Sequence, residues 1–333
     1  MTGRALVLSM RDVKELLDMG ECIAIQEDVF ARNGAGTAWN GENAWIFPDA
    51  ELMRYPSTGK MMSGAIEPDW WGMKLLGVGE GGPDDRARMQ VLCLFRAETL
   101  TPVAVVEANY LGHVRTGAGA AVASRHLARP EARRIGVLGT GATARFALQA
   151  HAAMGWPVDR VQVYSRTPER RLEYARELGA ATGYDIEPVA DPEEVVRGAE
   201  ILVTGTASHE PAFDAAWVQP GTHVNAMGQR QEIPPELFLR SRNIGDEVAI
   251  ATADGKLSVA IELGVITPEH AHGSLGEVIV GKADGRTEAD QVTLFDSSGL
   301  CVQDIAAGVH VWERAVERGM GVRADLFHDD PLW

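Results

Sequence analysis

The sequence has no long apolar run and few cysteines, and each absence excludes a class of protein. No stretch of this 333-residue chain approaches the roughly 20 apolar residues that a membrane-spanning helix needs. The apolar run 5–8 is too short for the hydrophobic region of a secretory signal peptide. The three cysteines lie far apart, without metal-binding or redox spacing. We therefore expect a protein of a reducing compartment, the cytoplasm, with no membrane partner.

Positive charge is also scarce. Lys and Arg total 31 against 47 Asp and Glu, which gives a net charge of -16. Nucleic acid and anionic membrane surfaces repel such a chain, so neither is expected as a partner. His270 and His272 lie close together, but no cysteine or acidic residue lies at ligand spacing from them, so we predict no metal site. The length suffices for two domains, each with its own core.

A nucleotide-binding pattern occupies the middle of the chain. An apolar strand, 135–138, leads into Gly139-x-Gly141-x-x-Ala144, and a helix-forming run follows at once. The first glycine permits a tight turn, the second lets a pyrophosphate approach bare backbone, and the small third residue lets the helix pack close to the strand. A tight strand–helix turn without a ligand is the alternative. The residues predicted to bind a dinucleotide here are Gly139, Thr140, Gly141, Ala142 and Thr143.

The end of the next predicted strand, 161–164, bears on which dinucleotide binds. It continues into Ser165-Arg166-Thr167. Folds that prefer NAD usually place Asp or Glu there to accept hydrogen bonds from the ribose 2′-hydroxyl, whereas an arginine suits the 2′-phosphate of NADP. These three residues offer donors and a positive charge but no carboxylate, so NADP(H) is favoured over NAD(H). Arg166 at the start of a solvated loop is the alternative.

Strands and helices alternate from residue 133 onward, which predicts an α/β fold with a Rossmann-type doubly wound parallel sheet. The predicted strands are 135–138, 161–164, 201–204 and 223–227, with two shorter ones near 243–245 and 293–295. The predicted helices are 142–154, 168–178 and 192–198. A second glycine cluster, 117–122, also fits the nucleotide pattern. The preceding strand ends well before it, so we assign this cluster to a helix packed against other backbone.

The first third of the chain predicts a separate α+β domain with antiparallel pairing. Ser9 caps a helix, with Asp12 three residues later, and a strand at 5–8 precedes it. The remaining expected elements are a helix at about 22–33, short strands and loops in 34–64, a strand at 70–76, and a hairpin of 90–95 with 103–107. The last helix, 302–317, is expected to return to this domain, which makes the domain discontinuous. The predicted domains are 1–116 with 302–333, and 117–301.

Several motifs, in their order and spacing, resemble those of the ornithine cyclodeaminase/μ-crystallin family. They are Gly72-Met-Lys74-Leu-Leu, Val91-Leu-Cys-Leu-Phe, Val114-Arg115-Thr116, Gly139-Thr-Gly-Ala-Thr-Ala144, Tyr164-Ser-Arg-Thr, Asn225-Ala-Met-Gly228, Gly273-Ser-Leu-Gly-Glu277 and Ser297-Ser-Gly-Leu-Cys-Val-Gln-Asp304. The resemblance implies a homodimer whose discontinuous α+β domain supplies the dimer contact and the substrate floor. It also implies hydride transfer between a nicotinamide and the α-carbon of an amino acid or its imine. Further cofactor-binding residues implied by it are Thr116, Thr206, Met227, Gly228, Ser298 and Gly299.

Three residues are candidates for the chemistry. Lys74 lies on an apolar strand, where poor solvation lowers the pKa of a lysine and suits it to proton transfer; the resemblance places the catalytic lysine here. A strand-edge lysine that reaches solvent is the alternative. Arg115, at the entry to the glycine-rich helix, can hold a substrate carboxylate, as the resemblance implies, or pair with an acid on the surface. Asp304 is either a helix-start acid that interacts with the helix dipole or a partner of Lys74 in the site.

Two positions depart from the family pattern. Cyclodeaminase members carry Asp two residues after Asn-Ala-Ile/Val-Gly, but here Gly228 is followed by Gln and Arg230, with no acid before Glu232. A second arginine expected near residues 43–45 is also missing. Arg230 is a candidate for binding a second substrate carboxylate, with a solvent-facing side chain as the alternative. The residues that could replace the missing arginine are Arg54, Lys60 and Arg230.

The missing Asp favours reduction over cyclodeamination. We therefore expect an NAD(P)H-dependent imine reductase or amino-acid dehydrogenase that acts on a small α-imino or α-keto acid. An ornithine cyclodeaminase-type ammonia lyase with recycled NAD stays open, and would need Glu232 or Asp246 to replace the missing Asp. A non-catalytic NADP(H)-dependent ligand-binding protein is the third hypothesis, and the presence of Lys74 and Arg115 speaks against it.

Overall fold

The computed structural model describes residues 4–46, 57–79 and 87–325. The strands are β1 (Arg4–Leu8), β2 (Ala38–Asn40), β3 (Ala44–Ile46), β4 (Ser57–Ile66), β5 (Trp70–Gly79), β6 (Ala87–Arg96), β7 (Pro102–Glu107), β8 (Arg134–Leu138), β9 (Arg160–Tyr164), β10 (Ile186–Pro188), β11 (Ile201–Thr204), β12 (His223–Ala226), β13 (Ser241–Gly245), β14 (Ala271–Ser274), β15 (Val292–Asp296) and β16 (Val322–Asp325). The α-helices are α1 (Met10–Leu16), α2 (Met19–Ala35), α3 (Asn109–Leu127), α4 (Ala142–Ala153), α5 (Pro168–Thr182), α6 (Pro192–Gly198), α7 (Val248–Asp254), α8 (Lys256–Glu262), α9 (Leu275–Ile279) and α10 (Cys301–Arg318). None of these helices has the length and hydropathy that crossing a membrane requires.

The chain divides into two compact units. Unit 1 contains Met1–Ile25, Gly36–Arg115 and Leu300–Trp333, and unit 2 contains Gln26–Ala35 and Thr116–Gly299. The predicted first domain included all of α2, but the second half of this helix groups with unit 2. The physical reason is close packing within unit 2: a Cβ on Gly34 would lie 2.2 Å from the backbone of Gly276, and Lys282 Nζ donates a hydrogen bond to the Gly34 carbonyl at 2.7 Å.

Unit 1 is built on a mainly antiparallel sheet of eight strands, in the order β16-β1-β7-β6-β5-β4-β2, with β3 also paired to β4. The predicted hairpin is confirmed, because β6 and β7 pair antiparallel. The predicted capping box is confirmed as well: the Ser9 side chain accepts from the backbone of Asp12, and the Asp12 carboxylate accepts from the backbone of Ser9.

The last helix covers one face of this sheet, as the sequence predicted, with α10 packed on β4, β5 and β6. Glycines make the close approach possible. Gly64 and Gly72 are cross-strand partners on β4 and β5, and a Cβ on Gly72 would lie 2.8 Å from the Ile305 side chain. A Cβ on Gly308 would lie closer still to the Leu92 side chain of β6. The backbone of α10 therefore lies directly above the even-numbered side chains of β5.

Unit 2 contains an eight-stranded sheet in the order β10-β9-β8-β11-β12-β15-β13-β14. Every pair in it is parallel. The α/β fold class and the alternation predicted from residue 133 are confirmed. The strand order reverses between β8 and β11, and ligands of such sheets bind at the carboxyl ends of the strands beside this reversal. An apolar core that includes Leu138, Leu202 and Val224 supports these strands.

Two elements differ from the sequence prediction. The segment 34–64 was predicted as short strands and loops, but β4 has ten residues and pairs with β5 along its whole length. Its Gly, Ser and Met residues have weak strand propensity, so the pairing with β5 decides its conformation. Arg115 was placed at the entry to a helix, but α3 begins earlier, at Asn109. The carboxylate of Glu107 accepts the backbone N–H of Asn109 at 2.7 Å and so caps this helix.

Candidate functional site

Lys74 lies in the middle of β5 and faces α10. Its register partners are Met62 on β4 and Leu92 on β6, which share this face of the sheet. Only 3% of Lys74 is exposed, so the alternative of a strand-edge lysine that reaches solvent is wrong. The strand period of two determines this orientation, because Gly72 on the same face lies directly beneath Ile305.

The ammonium of Lys74 meets the carboxylate of Asp304 on α10. Lys74 Nζ donates to Asp304 Oδ1 at 2.8 Å, and Arg115 Nε donates to the same oxygen at 3.0 Å. Asp304 is fully buried. Its Oδ2 has no hydrogen-bond partner among the described residues. Both positions considered for Asp304 are found: it lies in the first turn of α10, and it contacts Lys74.

Burial and neighbouring charges both shift the pKa values of Lys74 and Asp304. Burial lowers the pKa of Lys74; Asp304 counteracts this shift and Arg115 adds to it, so that the net pKa lies below the usual lysine value. Burial by itself would raise the pKa of Asp304, but attraction to Arg115 and Lys74 outweighs it and the pKa is lowered. Asp304 is therefore an anion that holds a lysine with a reduced proton affinity.

Arg115 is buried and also contacts a residue that the sequence analysis missed. Its Nη1 donates to Gln303 Oε1 at 3.3 Å, and the same oxygen accepts the backbone N–H of Leu300 at 2.9 Å. Gln303 thereby fixes both the guanidinium and the first turn of α10. The signal was present in the motif Ser297-Ser-Gly-Leu-Cys-Val-Gln-Asp304, where Gln303 stands directly before Asp304.

A glycine on α3 leaves space beside the Lys74 ammonium. A Cβ on Gly112 would lie 3.2 Å from Lys74 Nζ and 3.3 Å from Gln90 Oε1. Any larger residue would press against both side chains. Gly112 and Gln90 were not singled out from the sequence, because neither belongs to a motif with a known chemical role.

In unit 2, the Gly139–Ala144 turn has the geometry that the fingerprint requires. Gly139 has a φ of +101°, and a Cβ on it would lie 2.6 Å from the carbonyl oxygen of Gly205 at the end of β11. Gly141 precedes α4 as its N-cap without a side-chain hydrogen bond, and a Cβ on it would meet no atom of the described residues within 4 Å. The N–H groups of the first turn, from Ala142 and Thr143, thus adjoin open space, which fits a diphosphate.

The segment predicted to distinguish NADP from NAD follows β9, next to this turn. Ser165 is half-buried, and Arg166 and Thr167 are exposed. Arg171 Nη1 donates to the Ser165 carbonyl at 2.9 Å, which holds the segment against α5. Arg166 and Thr167 therefore expose their donor groups at the carboxyl ends of β8 and β9.

Two buried carboxylates hold the other predicted cofactor loops. Glu232 accepts the backbone N–H groups of Thr206 and Gly228, and Asp246 accepts those of Ser298 and Gly299. Both acids were considered as a replacement base for a cyclodeaminase. Each is instead bonded to backbone donors of the loops. Met227 is buried at the end of β12, and Thr116 is half-buried on α3.

Arg230 has its own partners in unit 2. Its Nη2 donates to Glu262 Oε1 at 2.9 Å and to Ser258 Oγ, and its Nε donates to the Gly255 carbonyl at 3.3 Å. Arg230 is thus paired with Glu262, while 37% of its side chain stays exposed to solvent. Lys60 is buried on β4, and Arg54 lies outside the described residues.

The predicted site residues thus fall into two groups. Unit 1 brings together Lys74, Arg115 and Asp304, and unit 2 carries the dinucleotide-type loops and Arg230. Fold and loops together define a protein of the Rossmann-type dinucleotide-binding class with a buried lysine–arginine–aspartate group.

The comparison with known families agrees with this class. Residues 4–319 match the profile of the Ornithine cyclodeaminase/mu-crystallin family, and the chain belongs to this family. Alanine dehydrogenase of Archaeoglobus fulgidus is 30% identical over 332 residues, which cover 97% of this chain and 98% of that protein. Delta(1)-pyrroline-2-carboxylate reductase of Bacillus cereus is 35% identical over 231 residues, which cover 68% of this chain and 70% of that protein.

A solved structure supports the fold independently. An archaeal alanine dehydrogenase dimer with bound NAD matches with a TM-score of 0.89 and 28% sequence identity, over 97% of this chain and 100% of that chain. The family resemblance inferred from the sequence motifs is thereby confirmed.

Proposed function

We propose that this protein is an NAD(P)H-dependent oxidoreductase that reduces a small α-imino or α-keto acid at its α-carbon. The observation that carries the proposal is the convergence of Lys74 and Arg115 on the buried Asp304, in a chain whose relatives are an alanine dehydrogenase and a pyrroline-2-carboxylate reductase. Unit 1, with its discontinuous sequence, is proposed as the substrate and dimerisation domain. Unit 2 is proposed as the dinucleotide-binding domain.

Arg115 is proposed to hold the substrate carboxylate. A guanidinium has five N–H groups, and Asp304 and Gln303 account for two of them among the described contacts. The remaining donors suit a carboxylate, which accepts two parallel hydrogen bonds from an arginine. Because Asp304 and Gln303 fix the plane of the guanidinium, the carboxylate is fixed as well, and with it the orientation of the α-carbon.

Lys74 is proposed to manage the proton. When bound, the nicotinamide supplies the hydride, and each hydride transferred to an imine carbon requires one proton on the nitrogen. Lys74 Nζ holds such a proton at a lowered pKa and donates it to the substrate nitrogen; it then takes up a proton from water, and the Asp304 carboxylate stabilises the ammonium that forms. In the oxidative direction, the neutral lysine accepts a proton from the substrate.

The proposed assay follows oxidation of NADPH and NADH with cyclic imino acids and with α-keto acids plus ammonia. We expect turnover with at least one of these substrates. In Lys74→Met, kcat should fall by about 10² to 10⁴ while dinucleotide affinity is retained. Lys14→Met, which removes an exposed lysine of α1, is the matched control. Silence of the wild type across the panel, with tight dinucleotide binding, would support a ligand-binding protein instead.

Cyclodeamination is the second candidate because the family includes it by name. It is disfavoured here, since both carboxylate oxygens of Glu232 and Oδ2 of Asp246 accept hydrogen bonds from backbone N–H groups. Formation of proline from ornithine without net oxidation of NADPH would reverse this ranking.

NADP(H) is proposed as the preferred cofactor, on the basis of Ser165, Arg166 and Thr167. The archaeal alanine dehydrogenase was solved with NAD, so the preference needs a direct test. We expect the wild type to favour NADPH, and Arg166→Ala to raise KM for NADPH about tenfold or more while leaving KM for NADH nearly unchanged. A wild type that prefers NADH would contradict the assignment.

A homodimer is proposed from the face of the unit 1 sheet that no described helix of this unit covers. Strand alternation places the odd-numbered residues opposite the face that α10 covers. Trp39, Met61, Leu75 and Met89 on this face are 48%, 40%, 52% and 68% exposed, and Met61 and Leu75 are direct cross-strand partners. Contiguous exposed apolar residues of this kind mark an interface. A second copy of the chain is the proposed occupant, as in the dimeric archaeal relative.

A further inference from the structure

Glu232 lies four residues after Gly228, in the turn that follows β12, and its carboxylate is fully buried. Its Oε1 accepts from Thr204 Oγ1 at 2.6 Å and from the backbone N–H of Gly228 at 2.7 Å. Its Oε2 accepts from the backbone N–H and the hydroxyl of Thr206, both at 2.8 Å. One side chain therefore joins the loops that follow two neighbouring strands, β11 and β12.

The donors match the capacity of an ionised carboxylate. Two oxygens offer about four acceptor positions, and four donors use them. An amide offers one accepting oxygen, and its NH₂ would face a backbone N–H in either orientation. A glutamine at this position would therefore leave one of the two loops without its acceptor, whichever way the amide turned.

The backbone around Glu232 fits tightly. A Cβ on Gly228 would lie 2.3 Å from Glu232 Oε2 and 2.5 Å from the Thr206 carbonyl oxygen. The backbone N–H of Gln229 donates to the same carbonyl at 3.0 Å. The loops after β11 and β12 are thus closed on each other with Glu232 between them.

This clamp adjoins the Gly139 turn. Gly205 directly precedes Thr206, and its carbonyl oxygen is the atom that a Cβ on Gly139 would meet at 2.6 Å. The backbone N–H of Gly205 donates to the Leu138 carbonyl at 2.9 Å. A shift of Thr206 would therefore be transmitted to the backbone beside the proposed diphosphate.

We propose that Glu232 is a positioning residue for dinucleotide binding: its carboxylate holds the backbone of Thr206 and Gly228 in the conformation that receives the cofactor. The inference rests on the proposed function, because it assumes that these loops bind a dinucleotide. Glu232 is not a base in the reaction and touches the cofactor only through the loops it holds.

The test compares Glu232→Gln with Thr204→Val in the full-length protein. Glu232→Gln removes an acceptor from a loop backbone, whereas Thr204→Val removes a bond to the same carboxylate from within β11 and leaves both loop contacts in place. We expect Glu232→Gln to raise the Kd and KM for NADPH about tenfold or more, with kcat at saturating NADPH nearly unchanged. We expect Thr204→Val to retain the wild-type Kd, even if its thermal stability falls equally.

The outcomes separate the two proposals. Equal Kd values for wild type and Glu232→Gln would overturn the positioning role, as would equal rises in Kd for both variants. A wild type that binds neither NADPH nor NADH would overturn the proposed function itself.

A second measurement uses the wild type alone and applies if Glu232→Gln does not fold. The amide hydrogens of Thr206 and Gly228 should exchange slowly in the dinucleotide-free protein, because Glu232 accepts both. Rapid exchange of these two amides, with slow exchange in β11 and β12, would show that the clamp is not formed and would overturn the inference.

Discussion

Asp304 is a single carboxylate on which the charge of the unit 1 site depends. Both Lys74 and Arg115 donate to its Oδ1, so one anion faces two cations in a buried setting. Removing one partner of a buried ion pair typically costs several kcal/mol, because the other charge stays behind without compensation. The lysine can escape this cost by losing its proton, whereas the arginine cannot.

A prediction about pH dependence follows from this difference. Asp304→Asn removes the charge that raises the pKa of Lys74, so this pKa should fall further below the ordinary lysine value. A lysine with a lower pKa loses its proton at a lower pH. The decline of kcat for reduction with rising pH should therefore begin at a lower pH than in the wild type, and the rise of kcat for oxidation should shift in the same direction.

The measurement is a pH profile of kcat in both directions, from about pH 6 to about pH 10. Asp28→Asn is the matched control, because Asp28 is an exposed partner of Arg32 on α2. An unchanged profile in Asp304→Asn would mean that Lys74 does not carry the titrating proton.

At the scale of elements, the approach of α10 to the sheet places Asp304 over Lys74. This approach depends on residues without side chains, since Gly72 lies beneath Ile305, the neighbour of Asp304. Helix and strand propensities do not encode such a contact. It arises where two segments more than 200 residues apart in sequence each present the right surface.

A pair of glycines on the same strand tests the contact. At Gly72, a Cβ would lie 2.8 Å from Ile305 Cγ1 and 3.0 Å from the Cys93 carbonyl oxygen, whereas at Gly77 the nearest atom would be 3.8 Å away. Gly72→Ala should lower the free energy of unfolding by about 1–3 kcal/mol and should also lower kcat, because α10 carries Asp304. Gly77→Ala should be nearly neutral in both.

Chemical denaturation of the two variants measures their free energies of unfolding, and steady-state kinetics measures their kcat. Equal stability of the two alanine variants would show that α10 tolerates displacement from β5 without cost.

At the scale of the whole molecule, the two faces of the unit 1 sheet differ. The helix α10 covers one face, and no described helix of unit 1 covers the other. On the exposed face, Met61 and Leu75 are cross-strand partners, and Met89 pairs with Gly77, two residues along β5 from Leu75. Burying such side chains contributes about 25 cal/mol per Å² of apolar area, which favours self-association of the chain.

Leu75→Glu should therefore shift the proposed dimer to monomer, because a carboxylate would be buried opposite an apolar surface. Light scattering after size-exclusion chromatography measures the mass directly. Leu172→Glu is the control, since Leu172 is similarly exposed, at 58%, but lies on α5 of unit 2. A dimeric Leu75→Glu protein would place the interface elsewhere.

The local pattern of the sequence determined the parallel sheet of unit 2, the glycine turn at Gly139 and the burial of Lys74. Those features depend on residues near one another in the chain: the glycine spacing, the alternation of strands and helices, and the apolar neighbours on β5. The segment 165–167 was likewise identified from its position after a strand.

Only the tertiary structure decided which long-range partners meet. It brought Asp304 to Lys74 and Arg115, engaged Arg230 with Glu262, and turned Glu232 from a candidate base into an acceptor for backbone N–H groups. The physical reason is that a charged side chain has the same sequence signature whether it reacts, pairs or caps. Its role is decided by which donors and acceptors surround it once distant segments have packed.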